Sequence, residues 1–139
     1  MTGDITINYL AVITAAVVNM AIGFLWYGPA FGKTWVRLMG FTPEKLEEMK
    51  KKGMTMSLIM MFIASLVMAY VLAYFLAALN IADTYGAVIL AFWVWLGFVA
   101  TVIISPVLWE DKSWKLYFFN VAYYLVSLSA MTLILVAWK

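Results

Sequence analysis

The chain has 139 residues, enough for one domain, and 67% of them are apolar while 12% are charged. An average soluble domain is about a quarter charged, and one this small buries only about 60–70% of the surface its unfolded chain exposes, so lipid is the solvent this composition requires. A net charge of +2 gives no basis for a nucleic-acid partner, and the absence of cysteine and histidine excludes disulfides, thiolate nucleophiles, iron–sulfur or His-ligated haem and the usual zinc sites.

A spanning helix needs about 20 largely apolar residues, and charged residues divide the chain into four such stretches: 5–27, 54–80, 85–108 and 116–138. The fold class is therefore an all-α integral membrane protein, a single four-helix transmembrane domain over residues 1–139. The first span ends at Gly28-Pro29, because proline disfavours the helical region for the residue before it. The MTGD start lacks the basic region of a signal peptide, so the first helix is expected to be retained.

Residues 33–53 form the sizeable loop and carry one short amphipathic surface helix, TPEKLEEMKKKG. Thr42 is its N-cap, Pro43 its first helical residue and Gly53 its terminator. Glutamates early and lysines late suit the helix dipole, and Glu47–Lys51 and Glu48–Lys52 have the spacing of supporting ion pairs. Just ahead, Phe31, Trp35, Leu38 and Met39 suit the membrane surface, with Lys33 and Arg37 toward headgroups. Further along, Asp83 or Thr84 caps the third span. Pro106 deprives the Val102 carbonyl of its usual donor and predicts a kink. WEDKSWK (109–115) is a polar turn.

The first and third loops hold Lys33, Arg37, Lys45, Lys50, Lys51, Lys52, Lys112 and Lys115, eight of the nine basic residues. The positive-inside rule puts both loops in the cytoplasm and both termini outside. Trp26, Tyr27, Trp109, Trp114 and Tyr117 then mark the inner interface, and Tyr9, Tyr85 and Trp138 the outer. Three stripes of small residues at spacing four favour close helix contacts: Ala11, Ala15, Asn19 and Gly23; Ser65, Ala69, Ala73 and Ala77; Gly97, Thr101 and Ser105.

Candidate functional residues are few. Asn19 and Asn120 are the most polar side chains within the spans. Asn19 reads either as an interhelical hydrogen-bonding residue or as a ligand for an ion or solute, and Asn120, nearer the interface, as structural. Thr14, Thr101 and Ser105 are the other candidates for a polar pathway or interhelical contacts. Lys33, Arg37, Lys50, Lys51 and Lys52 are candidate contacts for anionic lipid, at about 1 kcal/mol per charge, although lysines at that position also serve to set topology. GPAFGK (28–33) has three residues between its glycines where a phosphate-binding loop has four, and follows a membrane helix instead of a strand. No catalytic, cofactor or metal residues are expected. Spans without ionisable groups argue against proton-coupled antiport.

Several strings point to a family: NYLAV (8–12), LWYGPAFGKTW (25–35), LMGFTPEKL (38–46), WLGFVAT (95–101), WEDKSWKL (109–116) and YLVS (124–127). Together they resemble the prokaryotic membrane family known as domain of unknown function 1761, and W-Y-G-P-x-F-G-K-x-W is the most distinctive of them. The resemblance implies four helices and a bacterial or archaeal cytoplasmic membrane, with no assigned activity. The residues themselves favour a non-enzymatic helix-packing module, either a homo-oligomer or an accessory subunit among other membrane proteins. A passive channel or carrier for a small neutral or hydrophobic solute is the alternative. An enzyme acting on lipid ranks third, because general acid–base groups occur only in the inner loops.

Overall fold

The computed structural model describes residues 5–53 and 55–138. Met54, the expected start of the second span, the MTGD start and the terminal Lys139 lie outside the described residues. Helix α1, Tyr9–Leu25, begins where the Asn8 side-chain oxygen accepts the N–H groups of Leu10 and Ala11 at 3.1 and 3.3 Å. It runs on as a π turn through Trp26–Ala30, and Gly28 there takes a non-helical backbone (φ −120°, ψ −111°) directly before Pro29. The first span is thus Tyr9–Ala30, beginning and ending later than the expected 5–27.

The connecting segment holds two helices where one was expected. Helix α2, Gly32–Met39, is closed by Gly40 in the left-handed region (φ 73°). Gly40 donates its N–H to the Arg37 carbonyl at 3.2 Å and Phe41 to Val36 at 3.3 Å, a pairing that ends the helix and lets the chain turn. Helix α3, Pro43–Lys52, follows with the expected punctuation: the Thr42 hydroxyl accepts the Lys45 N–H at 3.2 Å, and Gly53 (φ 81°) ends it. Neither Glu47–Lys51 nor Glu48–Lys52 closes into an ion pair; all four side chains are exposed, and in water such pairs contribute only about 0.3–0.5 kcal/mol.

Helix α4, Thr55–Ala78, ends at Asn80 (φ 56°), with the Ile81 N–H donating to the Leu76 carbonyl at 2.9 Å. Asp83 caps α5, Thr84–Val94, by accepting the Gly86 N–H at 3.3 Å. The third span then departs from a regular helix: a π turn, Trp95–Ala100, passes through turn residues 101–104 into α6, Ser105–Trp109. The break has the cause read from Pro106. The Val102 carbonyl, deprived of a donor one turn on, accepts the Ser105 N–H at 3.4 Å. Helix α7, Trp114–Ala137, starts at Ser113, whose hydroxyl accepts the Leu116 N–H at 3.1 Å.

Among the described residues, four helices are long and apolar enough to cross a membrane: Tyr9–Ala30, Thr55–Ala78, Thr84–Trp109 and Trp114–Ala137. Large apolar side chains such as Met60, Ile63, Val67, Trp93 and Phe98 stand exposed around them, a surface that only acyl chains tolerate. Helix α7 packs against each of the other three spans, α1 lies against both α4 and α7, and α5 leans on α7. Small residues set the spacing. Ala15, Ala69, Ala87 and Ala91 are fully buried, and the backbones meet there.

Two of the small-residue stripes are used in these contacts. Ala11, Ala15 and Asn19 are buried with Gly23 half-buried, as are Ser65 and Ala69 with Ala73 and Ala77 half-buried. The third is not: Gly97, Thr101 and Ser105 are all exposed. The buried face of α5 runs through Ala87 and Ala91, and the π turn carries it on to Ala100, leaving Gly97 and Thr101 outward.

Replacing Ala69 by Leu at the α1–α4 contact is expected to cost about 1–3 kcal/mol by overpacking. Val67→Leu, on the lipid side of the same helix, should change stability by less than about 0.5 kcal/mol. Thermal unfolding of both variants in detergent checks the contrast; equal effects would contradict the assigned helix face.

Candidate functional site

Buried polar side chains from three spans meet at Asn19. Its side-chain N–H donates to the Ser65 hydroxyl of α4 at 2.6 Å. Its oxygen accepts from two groups of α7, the Ser127 hydroxyl and the Tyr123 hydroxyl, the latter at 3.3 Å. Tyr123 also reaches the Asn19 backbone carbonyl at 3.4 Å. One amide therefore ties three spans together, and Asn19, Ser65, Ser127 and Tyr123 are all nearly inaccessible. Gly23, one turn along α1, makes room for this: a Cβ there would stand 2.9 Å from the Tyr123 hydroxyl.

Toward the end of the bundle that carries α2, α3 and the 110–113 turn, here the basic end, the helices separate around a cavity of about 820 Å³. Gly23, Tyr27, Tyr123 and Tyr124 form part of its wall, and Trp35 and Met39 of α2 face it from the loop side. The Tyr27 hydroxyl donates to the Asn120 side-chain oxygen at 2.6 Å, joining α1 to α7 on that wall. Rings hold the surrounding structure in place: Tyr27 meets Trp35, Phe119 and Tyr123 edge-on with centroids 5.5, 5.6 and 5.2 Å apart. On the far side, the Tyr117 hydroxyl donates to the Ala100 carbonyl at 2.7 Å, where the π turn gives way, and the Trp95 indole N–H to the Val121 carbonyl at 2.7 Å. A smaller cavity, about 390 Å³, lies at the opposite end, where the Asn8 amide donates to the Trp138 carbonyl at 3.1 Å.

The residues singled out for a polar pathway are dispersed. Asn19 lies in a closed helix contact, while Thr14 and Thr101 return their hydroxyls to the carbonyls of Leu10 and Gly97 on their own helices, at 2.8 and 2.7 Å. Ser105 is exposed at the start of α6, and Asn120 lines the cavity. Lys33 and Arg37 stand exposed on α2, and Lys50, Lys51 and Lys52 are exposed at the end of α3. Sequence reasoning missed Tyr123 and Ser127, although their spacing of four on α7 mirrors the Asn19–Gly23 spacing they meet. Trp26 and Tyr27, which the sequence places at the inner interface, are half-buried in the ring cluster.

Asn19→Leu keeps the side-chain size and removes three interhelical hydrogen bonds. With each contributing about 0.6–2 kcal/mol between membrane helices, the variant should lose about 2–6 kcal/mol of stability to chemical unfolding in micelles. An unchanged midpoint would show that the knot contributes nothing.

Comparison with known proteins adds one match. Residues 10–136 fit the model of a family described as "Protein of unknown function (DUF1761)". No curated protein matches, and no solved structure matches. The match covers nearly the whole chain, from the second residue of α1 to the penultimate residue of α7, and the chain belongs to the DUF1761 family.

Proposed function

We propose that this chain is a non-enzymatic membrane module that works within an assembly, joining a second copy or another membrane subunit through the outward face of its third span. The observation that carries the reading is the unused stripe. The small residues of α1 and α4 are spent on contacts inside the chain, while Gly97, Thr101 and Ser105 are left facing lipid. A Cβ at Gly97 would meet nothing within 4 Å. Small residues on a lipid-facing helix forgo contact with acyl chains, and close approach of another helix restores it. A passive pathway for a small neutral or hydrophobic solute has less support, since Asn19, Thr14, Thr101 and Ser105 do not line one passage.

The same reading places the basic end in the cytoplasm and both termini outside, in a prokaryotic cytoplasmic membrane, on the strength of the loop lysines and arginines. Lys33, Arg37, Lys50, Lys51 and Lys52, all exposed at that end, then face anionic headgroups.

Gly97→Leu tests the assembly. The added side chain enters open space within the chain, so the folded monomer should unfold at an unchanged temperature while the fraction cross-linked in native membrane falls several-fold. Unaltered cross-linking would rule out this face. Orientation has its own check, because the chain contains no cysteine. In intact cells Tyr85→Cys should react with an impermeant maleimide and Glu48→Cys should react only after lysis; the opposite pattern would invert the topology.

A further inference from the structure

We infer that the cavity at the basic end is a binding site for one anionic glycerophospholipid, with its acidic headgroup at Lys112, an ester carbonyl at Asn120 and its tails passing out between α1 and α4. The cavity volume, about 820 Å³, falls in the range of about 300–1,000 Å³ typical of small-molecule sites. Its chemistry is graded along one direction. Among the described residues, Lys112 is the one charged residue on its wall, and its ammonium has no carboxylate partner. Glu110 and Asp111 share its turn but do not line the cavity. The turn is flanked by Trp109 and Trp114, both exposed, and an aromatic pair at a helix end marks headgroup depth.

Asn120 lies seven residues beyond Ser113, about 10 Å deeper along α7 at 1.5 Å per residue. Its side-chain oxygen is taken by Tyr27, while its amide N–H groups have no partner among the described residues. A free donor on a largely apolar wall calls for a ligand that only accepts, which an ester carbonyl does. Level with it and beyond, the wall is hydrocarbon and ring: Leu58, Met61, Phe24 and Met20. Phe24, Leu58 and Met61 are also exposed on the outer surface of their spans, so the cavity is continuous with the acyl phase. Cation, donor and apolar exit thus follow the order of phosphate, ester and tail. A bilayer lipid reaches such a site sideways without leaving the membrane. Helix α2 closes it from the loop side through Trp35 and Met39.

Native mass spectrometry of the full chain in neutral detergent, titrated separately with phosphatidylglycerol, phosphatidylcholine and oleate, tests the assignment. One phosphatidylglycerol should be retained about fivefold more tightly than phosphatidylcholine, the factor that about 1 kcal/mol per basic residue provides. Lys112→Gln, a change on an exposed turn, should bring that ratio to about one. Met61→Trp, which fills the cavity from a half-lipid-facing position, should remove retention of both phospholipids. Equal retention of the two phospholipids by the parent chain would overturn the proposal, as would selectivity unaffected by Lys112→Gln. Binding of oleate without phosphatidylglycerol would overturn it as well, because a fatty acid has no ester for Asn120. The parent titration stands on its own if either variant fails to fold.

Discussion

A side-chain amide placed among helices in lipid has no water to fall back on, so every bond it makes there must come from another helix. That constraint, exercised at Asn19, organises the bundle. Its two polar ends reach α4 on one side and α7 on the other, and the partners are hydroxyls whose own helices already hold them at fixed height. Neither hydrophobic association nor charge can sort four equally apolar helices into an order in hydrocarbon. A buried amide can, since a wrong neighbour would leave it unpaired at a cost of several kcal/mol. The alanines of α1 and α4 and the space above Gly23 then follow as conditions for reaching those hydrogen-bonding distances.

The knot also explains why α7 is the central span although it comes last in the chain. Tyr123 and Ser127 anchor it to α1, the Val121 carbonyl accepts the Trp95 indole, and Tyr117 reaches the irregular turn after Ala100. The third span is bent by Pro106 and held to α7 by side-chain bonds where its own backbone ladder lapses. At the basic end the same bend, together with the break at Gly28, opens the helices apart and leaves the ring-lined cavity. Close packing in the middle of the bundle follows from the alanines and the Asn19 hydrogen bonds, and separation at one end from where proline and glycine fall.

Much of the architecture was legible in the chain. Uninterrupted apolar length marks spans because the backbone must satisfy itself in lipid, and caps such as Thr42 and Asp83 act within three residues of themselves. The Pro106 break was legible for the same local reason. What lay beyond reach was the choice of neighbours. Each span is apolar around its whole circumference, so no one-sided stripe announces that α7 is central, and a small-residue stripe looks alike whether it is consumed, as at Ala15 and Ala69, or left outward, as at Gly97. The helix over 32–39 reads in the sequence as a surface segment without its own boundary, because Gly40, a lone glycine among apolar residues, only terminates a helix once it takes a left-handed backbone. Asn120 read as structural; its place on a cavity wall depends on the separation of helices distant in sequence.

Hydrogen exchange of the protein in lipid nanodiscs is the most direct measure of this account. Amides of residues 121–132 in α7 should exchange slowest, those of the outer turns of α4 and α5 faster, and those of α3 within seconds, in an order set by the helix that the Asn19 knot holds. If α7 exchanged as fast as α5, or if all four spans exchanged like α3, the claim that a buried amide on α1 fastens the bundle around α7 would be wrong.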